Sequence, residues 1–482
     1  MNAVARFWNS KSEAAKSAFV FTLAILLSRG ISIISTPIFT RIMPTDQIGV
    51  VGLFTSYFAV ISSITSLALN SGGFMVGLKD FANKRNEYIS SLVTLTTLTG
   101  LLLFAILCCA PTFWARTLGM TVGLLFLLVF GCVVTPAFEF WLMRQRYEYQ
   151  YKKAALLTVL TSVLSTLFAV VAVIASKDIP EHLGEIRLYV ATGSTLLVYL
   201  FVWVLLLVRG KTYYHKVYWS FSLSLSLPLL GHSFASQMLS VSDRFFIGKI
   251  VDNSAVGIYS TLYSVGSLAL MFWGALNSSF VPYLFQNLET EQQKKEVSKN
   301  TALLLGGFSL LTIAVSLLAP DIVAILAPKV YLDSVEIVPP IVAGVYFIAV
   351  GNIYSNLLVY YKNTIAIMFS SVAAGVISVV LNILLIPKLG FEVAAYNTLF
   401  SYVAFALFQS VGSCIVYRKK SGGNFVYNNK IMLGIVFITV LLTMLCILLY
   451  QNNIVRYIVA LFTVIIIIYL YKSRLKLINN LN

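Results

Sequence analysis

Apolar residues in this chain come in long unbroken runs, each closed by a short polar or basic segment. They show neither the alternation of a half-buried strand nor the narrow stripe of a surface helix. A run of about 20 apolar residues covers a hydrocarbon layer roughly 30 Å thick as a helix. The runs predict membrane-crossing helices over residues 17–43, 49–69, 88–110, 120–141, 154–175, 188–208 and 222–250 in the first part of the chain. They continue over residues 255–280, 301–318, 337–361, 364–386, 393–416, 431–450 and 453–471. Backbone groups find no partners in lipid, so a span is a helix or a strand of a closed barrel. Barrel strands are shorter and strictly alternating, and the expected fold is therefore an all-α membrane protein of about fourteen transmembrane helices.

Composition sharpens this picture. Of 482 residues, 59% are hydrophobic and 11% are charged, against roughly 25% charged in soluble domains. The net charge of +16 then reads as topology and attraction to anionic lipid headgroups, not as a nucleic-acid surface. Counting from a cytoplasmic N-terminus, one side collects about three times the Lys and Arg of the other. The sparse side keeps Arg41, Arg116, Lys177, Arg187, Lys249, Lys329, Lys388 and Arg456. The rich side includes Arg6, Lys11, Lys84, Arg85, Arg144, Arg146, Arg418, Lys419, Lys472 and Arg474. The expected location is a bacterial inner membrane, multi-pass, with both termini cytoplasmic. The first run is too long for a signal-peptide core, so its retention is expected. Cys108, Cys109, Cys132, Cys414 and Cys446 lie in or at the ends of spans and read as small packing residues.

The chain also carries an internal duplication. Ala68-Leu69-Asn70-Ser71 closes span two and Ala275-Leu276-Asn277-Ser278 closes span eight. Gly49 matches Gly257 beside the loop residues Arg41 and Lys249, and Ala110-Pro111 matches Ala319-Pro320 at nearly the same spacing. A six-span unit is even-numbered, so both copies start on the same side as a parallel repeat. Such repeats line a substrate site and rock for alternating access. The expected organisation is an N-terminal lobe (1–217), a C-terminal lobe (218–417) and two additional helices (418–482) after a basic linker.

Polar residues inside the spans are the candidate chemistry, because a charge at the bilayer centre costs about 2.5–3.5 kcal/mol on insertion scales. Arg29 lies near the middle of span one, roughly 18 Å below Arg41, too deep for easy snorkelling. It is either a cation facing a wet cavity that binds an anionic headgroup, or a structural arginine on backbone carbonyls; its depth favours the first. Asp243 and Arg244 are adjacent in span seven, where neighbours in sequence point apart, so a single cavity-facing pair is not expected of them. Asp243, Glu139 and His232 are candidate ion-coupling groups; an interfacial acid and a packing histidine are the structural alternatives for the last two. Asn70, Asn277, Gln237 and Arg244 join Arg29 as candidate substrate contacts. Asn352, Asn356 and Asn382 read mostly as interhelical hydrogen bonds, worth about 0.6 kcal/mol each. Gly30, Pro37, Pro228, Gly231, Pro339 and Pro340 predict interruptions of spans one, seven and ten.

Enzyme signatures are missing from the sequence. The three histidines, His182, His215 and His232, are scattered, and no phosphate-binding glycine loop or metal-ligand spacing occurs. No cofactor or metal is expected, and transport is expected to draw on an H+ or Na+ gradient.

Three junctions resemble those of one family. They are Pro37-Ile38-Phe39-Thr40-Arg41-Ile42-Met43-Pro44 with Gly49, and Ser242-Asp243-Arg244-Phe245-Phe246-Ile247-Gly248-Lys249 with Val256-Gly257-Ile258-Tyr259-Ser260. The third is Asn382 with Leu385-Ile386-Pro387-Lys388-Leu389-Gly390 and Ala394-Ala395, where Val393 stands in place of a family glycine. The chain resembles the polysaccharide-repeat (O-antigen, Wzx-type) flippases of the multidrug/oligosaccharidyl-lipid/polysaccharide superfamily. That resemblance implies export of an undecaprenyl-pyrophosphate-linked oligosaccharide to the periplasmic leaflet, by alternating access around a cationic cavity. It also implies a polysaccharide polymerase and a chain-length regulator as partners, besides membrane lipid, and makes Arg29 the contact for the diphosphate. An ion-coupled multidrug extruder or a lipid II flippase is the alternative within the superfamily, and a non-transporting scaffold for glycan-assembly enzymes the alternative outside it. A membrane polymerase would need a large catalytic loop, and the longest on the sparse side, 176–187, is too short.

Overall fold

The computed structural model describes residues 13–421, 425–463 and 465. Every regular element among them is helical. The chain opens with α1 (Glu13–Ile42), α2 (Thr45–Thr65), α3 (Gly73–Asp80), α4 (Arg85–Cys109), α5 (Pro111–Leu118) and α6 (Val122–Tyr147). It continues with α7 (Tyr151–Ala175), α8 (Leu183–Gly210), α9 (Lys216–Ile250), α10 (Asn253–Gly266), α11 (Leu268–Gln286) and α12 (Glu291–Leu317). The last elements are α13 (Ala319–Leu326), α14 (Val338–Tyr360), α15 (Thr364–Leu389), α16 (Val393–Ser421), α17 (Asn429–Leu449) and a short apolar helix, Asn453–Thr463.

Local chemistry explains many of these boundaries. Pro111 and Pro320 each sit in the first turn of a short helix, α5 and α13, where a missing N–H costs nothing. The duplicated Ala-Pro thus marks the same short helix in both repeats. At α12 the Thr290 hydroxyl accepts from the Gln293 N–H while the Gln293 side chain accepts from the Thr290 N–H, a reciprocal cap. Asn363 and Asn428 cap α15 and α17 through their side-chain oxygens.

Twelve helices among the described residues are long and apolar enough to cross a membrane. The expected seventh span falls outside that set for a chemical reason. α9 has 35 residues, ample length, but carries serine at nearly every second position from Ser220 to Ser226, followed by His232, Gln237, Asp243 and Arg244. The expected fourteenth span is described as a helix only through Thr463, and most of its remainder lies outside the described residues. The basic residues expected at both termini, Arg6, Lys11, Lys472, Arg474 and Lys476, lie outside them too.

The predicted interruptions at Gly30, Pro37, Pro228 and Gly231 do not occur, since α1 and α9 run through them. A proline inside a helix removes one hydrogen bond and bends the axis without ending it when packing holds both sides. Pro339 and Pro340 stand in the first turn of α14, where proline is compatible with helix. The breaks fall elsewhere: after α2, where Leu67 (φ 52) and Ala68 (φ 51) are left-handed, and at Ser267 between α10 and α11.

Two compact units divide the chain between Gly257 and Ile258. In the first, α6 packs against α8, α4 and α2, α1 lies along α7, and α9 lies along α2 and α3. Its core stacks Phe74 on Phe140 at 4.5 Å and sets Tyr88 edge-on to Tyr218 at 5.5 Å. In the second unit the buried α14 is embraced by α16, α12 and α17. Trp273, Phe308 and Tyr346 fill the centre, and the Tyr346 hydroxyl meets Ser309 Oγ at 2.9 Å. Large apolar side chains face outward instead of inward, among them Phe201 at 67% exposed and Phe437 at 70%. Surfaces of this kind belong against lipid.

Candidate functional site

In the first unit, Arg29 projects from α1 off the face that packs on α7, where Phe21, Ala24, Ser35 and Phe39 are buried. Its own face carries Thr22, Ser32 and Thr36 at helical spacing. Arg29 is exposed, and among the described residues no carboxylate lies within ion-pair distance of it. The same face also carries Ile25, Leu26 and Ile33, so the hydroxyls and the guanidinium stand among apolar side chains.

The second feature is the break after α2. Leu67 and Ala68 turn the chain, residues Leu69–Ser71 form one 3-10 turn, and α3 begins at Gly73. Serines of α9 hold this segment: the Gly73 N–H donates to Ser226 Oγ at 2.9 Å, and the Tyr88 hydroxyl bridges Gly73 O and Ser222 Oγ. A Cβ at Gly73 would come within 2.7 Å of the Ser222 backbone, so glycine permits the approach. The turn delivers Asn70 to the half-buried Glu139 on α6, and Asn70 Nδ2 donates to Glu139 Oε2. Glu139 is thus held by an amide from the segment that follows α2.

Asp243 and Arg244 differ from the expectation that neighbours on a helix point apart. Both are buried, with Arg244 Nη1 lying 3.6 Å from Asp243 Oδ1 and donating to Ser240 O at 3.0 Å. The long arginine stem folds back along α9, which sequence spacing does not capture. His232 and Gln237 are half-buried on the same helix.

In the second unit the repeat mate Asn277 is inside α11, and its Oδ1 accepts from Asn356 Nδ2 on α14 at 2.8 Å. Asn382 Oδ1 accepts from Asn397 Nδ2 at 2.9 Å, joining α15 to α16. Asn352 is half-buried. The pairing of Asn70 with Glu139 and the role of Asn397 were not read from sequence. The signal available for the first was the recurrence of Asn in both Ala-Leu-Asn-Ser copies. Surface cavities on the first unit include two with charged linings, of about 420 and 360 Å³, one beside Arg116 and Glu185, the other among Lys84, Arg85, Arg144 and Arg209. Neither is lined by Arg29 or Glu139.

Long apolar helices, a repeated short helix and polar pairs within the spans define an all-helical multi-pass membrane protein. The chain belongs to the polysaccharide biosynthesis protein family, whose model matches residues 14–288. Its fold is similar to that of the lipid II flippase MurJ in an inward closed conformation. The TM-score is 0.68 at 14% identity, over 95% of this chain and 99% of that one. It is also similar to an inward-facing multidrug resistance MATE family transporter of the MOP superfamily (TM-score 0.58, 12% identity, 82% of this chain and 96% of that one). A third likeness is to a MOP superfamily transporter from Pyrococcus furiosus whose binding pocket has reversed polarity (TM-score 0.53, 13% identity, 84% and 95%). No curated protein matches the chain.

Proposed function

We propose that this protein flips undecaprenyl-pyrophosphate-linked oligosaccharide repeat units, of an O-antigen or similar surface polysaccharide, from the cytoplasmic to the periplasmic leaflet of a bacterial inner membrane. The observation that carries the reading is Arg29, a deep guanidinium on a hydroxyl-lined helix face with no carboxylate beside it among the described residues. The headgroup of such a lipid is a diphosphate bearing a polar glycan. It cannot cross hydrocarbon unaided, and a planar guanidinium is suited to bidentate phosphate contact. The family supports a role in polysaccharide biosynthesis, and the fold supports alternating access. Gln237 and Arg244 on α9, with Asn70 and Asn277, are the proposed further contacts. Both termini face the cytoplasm in this reading.

The test is to delete the gene in its native host and restore wild-type and Arg29→Ala copies separately. Without the gene, undecaprenyl-linked repeat units are expected to accumulate facing the cytoplasm and surface polysaccharide to be lost. Losing one charge-assisted contact of about 1.5–3 kcal/mol lowers flipping by at least about tenfold, so Arg29→Ala should fail to restore the glycan while Arg29→Lys restores part of it. Unchanged lipid intermediates after deletion overturn the assignment and turn attention to drug efflux.

A further inference from the structure

The Asn70–Glu139 pair is chemically incomplete as it stands. Asn70 Nδ2 donates to Glu139 Oε2, yet the other end of the amide, Asn70 Oδ1, is buried and accepts no hydrogen bond. A carboxylate only accepts, whereas a protonated carboxyl also donates. A proton on Glu139 therefore supplies the donor that Asn70 Oδ1 lacks, and turns one hydrogen bond into a two-bond amide–acid ring. A charged Glu139 leaves two acceptors side by side where Asn70 Oδ1 is buried.

The second unit shows what the pair looks like without this dependence. There the Asn of the repeated Ala-Leu-Asn-Ser also reaches the fourth long helix of its own repeat, but its partner is an amide, Asn356. An amide–amide pair is complete at any pH. The two copies have diverged at one partner, and the first copy alone can gain or lose a proton there.

Backbone geometry makes the gain or loss consequential. Asn70 stands two residues beyond Ala68, the second of two left-handed non-glycine residues, Leu67 and Ala68, whose conformation persists only where surrounding contacts enforce it. Asn277 lies within the uninterrupted α11. Closing the ring adds a contact that holds the break after α2 against α6; opening it releases one.

The electrostatic surroundings leave the proton as the means of neutralising Glu139. No Lys or Arg among the described residues forms an ion pair with it. Tyr199 of α8 is the titratable group that faces it. The charges of the packed helices sit near helix ends: Asp46 of α2, Lys79 and Asp80 of α3, Arg85 and Glu87 of α4, Arg116 of α5, Lys152 and Lys153 of α7, and Glu185, Arg187 and Arg209 of α8. Arg144, further along α6, is engaged by Glu148 and Asn86.

We propose that Glu139 is the proton-binding site of the transport cycle, and that its proton closes a ring with Asn70 which latches the break after α2. This rests on the flippase reading above. In each cycle water on the periplasmic side delivers a proton to the Glu139 carboxylate, forming its O–H bond. That bond breaks when the proton passes to cytoplasmic water, in exchange for one outward-moving glycolipid.

The full-length protein in proteoliposomes tests this, with undecaprenyl-pyrophosphate-linked oligosaccharide extracted from the deletion host as probe. An imposed proton gradient should raise wild-type flipping at least about fivefold, the lower end of ordinary coupling between sites. Glu139→Gln reproduces the amide–amide pair that the second unit already holds, so it should fold, and its flipping should ignore the gradient. Glu139→Asp keeps a proton-binding group and should keep a gradient response. Infrared difference spectra on acidification give a readout that needs no substrate. A carboxyl carbonyl band should rise in the wild type, shift in Glu139→Asp and vanish in Glu139→Gln. Gradient-dependent flipping by Glu139→Gln, or a titrating band identical in all three proteins, overturns the proposal. If the wild type flips nothing under any gradient, the flippase reading falls, and the infrared band still decides the proton site.

Discussion

Single residues carry most of the polar chemistry of this bundle, and among the described residues the buried charges Asp243, Arg244 and Arg456 each lie beside a group of opposite charge. Arg456, 3% exposed in the helix Asn453–Thr463, donates to Asp321 Oδ1 on α13 at 2.9 Å, and the Tyr457 hydroxyl donates to the same oxygen at 2.7 Å. The first copy of the repeat reads Ala110-Pro111-Thr112 where the second reads Ala319-Pro320-Asp321. The acid is thus present in the copy that has an additional helix to hold. Removing one partner of a buried pair leaves the other uncompensated, whereas replacing both with apolar side chains is often harmless. Arg456→Ala should destabilise the purified protein by about 3 kcal/mol, the low end for such a loss because Asp321 is partly exposed. The double change Arg456→Met with Asp321→Leu should recover most of it. Thermal unfolding in detergent, followed by size-exclusion chromatography, measures both.

At the scale of elements, the duplicated glycines acquire a physical reason. A Cβ at Gly49 would lie 1.8 Å from the Asn253 carbonyl oxygen, and one at Gly257 would lie 2.0 Å from that of Thr45. The starts of α2 and α10 therefore cross with backbone against backbone, and the Thr45 and Ser254 hydroxyls meet at 2.9 Å across the same contact. Small residues that let helices approach are how membrane proteins gain packing energy without a hydrophobic driving force. Gly49→Ala should force these helices apart at a cost of about 1–3 kcal/mol, the range for overpacking, and Gly257→Ala should do the same. A lowered midpoint of thermal unfolding for both, beside an unchanged one for Gly30→Ala, whose Cβ would meet nothing, checks the reading.

For the whole molecule the distribution of basic residues makes a prediction about sidedness. Reporter fusions after Lys211 should report the cytoplasm and fusions within 176–187 the periplasm, since positive charge in short loops sets orientation. Exchanging Lys84 and Arg85 for Ser should weaken that bias locally without inverting the protein, because the remaining loops keep the asymmetry. The opposite pattern of reporter activity would invert the proposed direction of transport.

Much of the architecture was legible in the chain because the bilayer enforces it: a helix must be apolar over a fixed length wherever it meets lipid. The runs therefore marked the helices, and the repeated Asn70/Asn277 and Gly49/Gly257 marked the duplication. The exception, α9, is polar partly for tertiary reasons, two of its serines, Ser226 and Ser222, being taken up by Gly73 and Tyr88. What sequence periodicity could not reach was the partner of each polar group. Asn70 meets Glu139 because two left-handed residues redirect the chain, and Arg244 meets Asp243 because a flexible stem bends back along its helix. Helix content follows from local hydropathy and the missing water; pairing between distant polar atoms follows from packing, which only the folded chain decides.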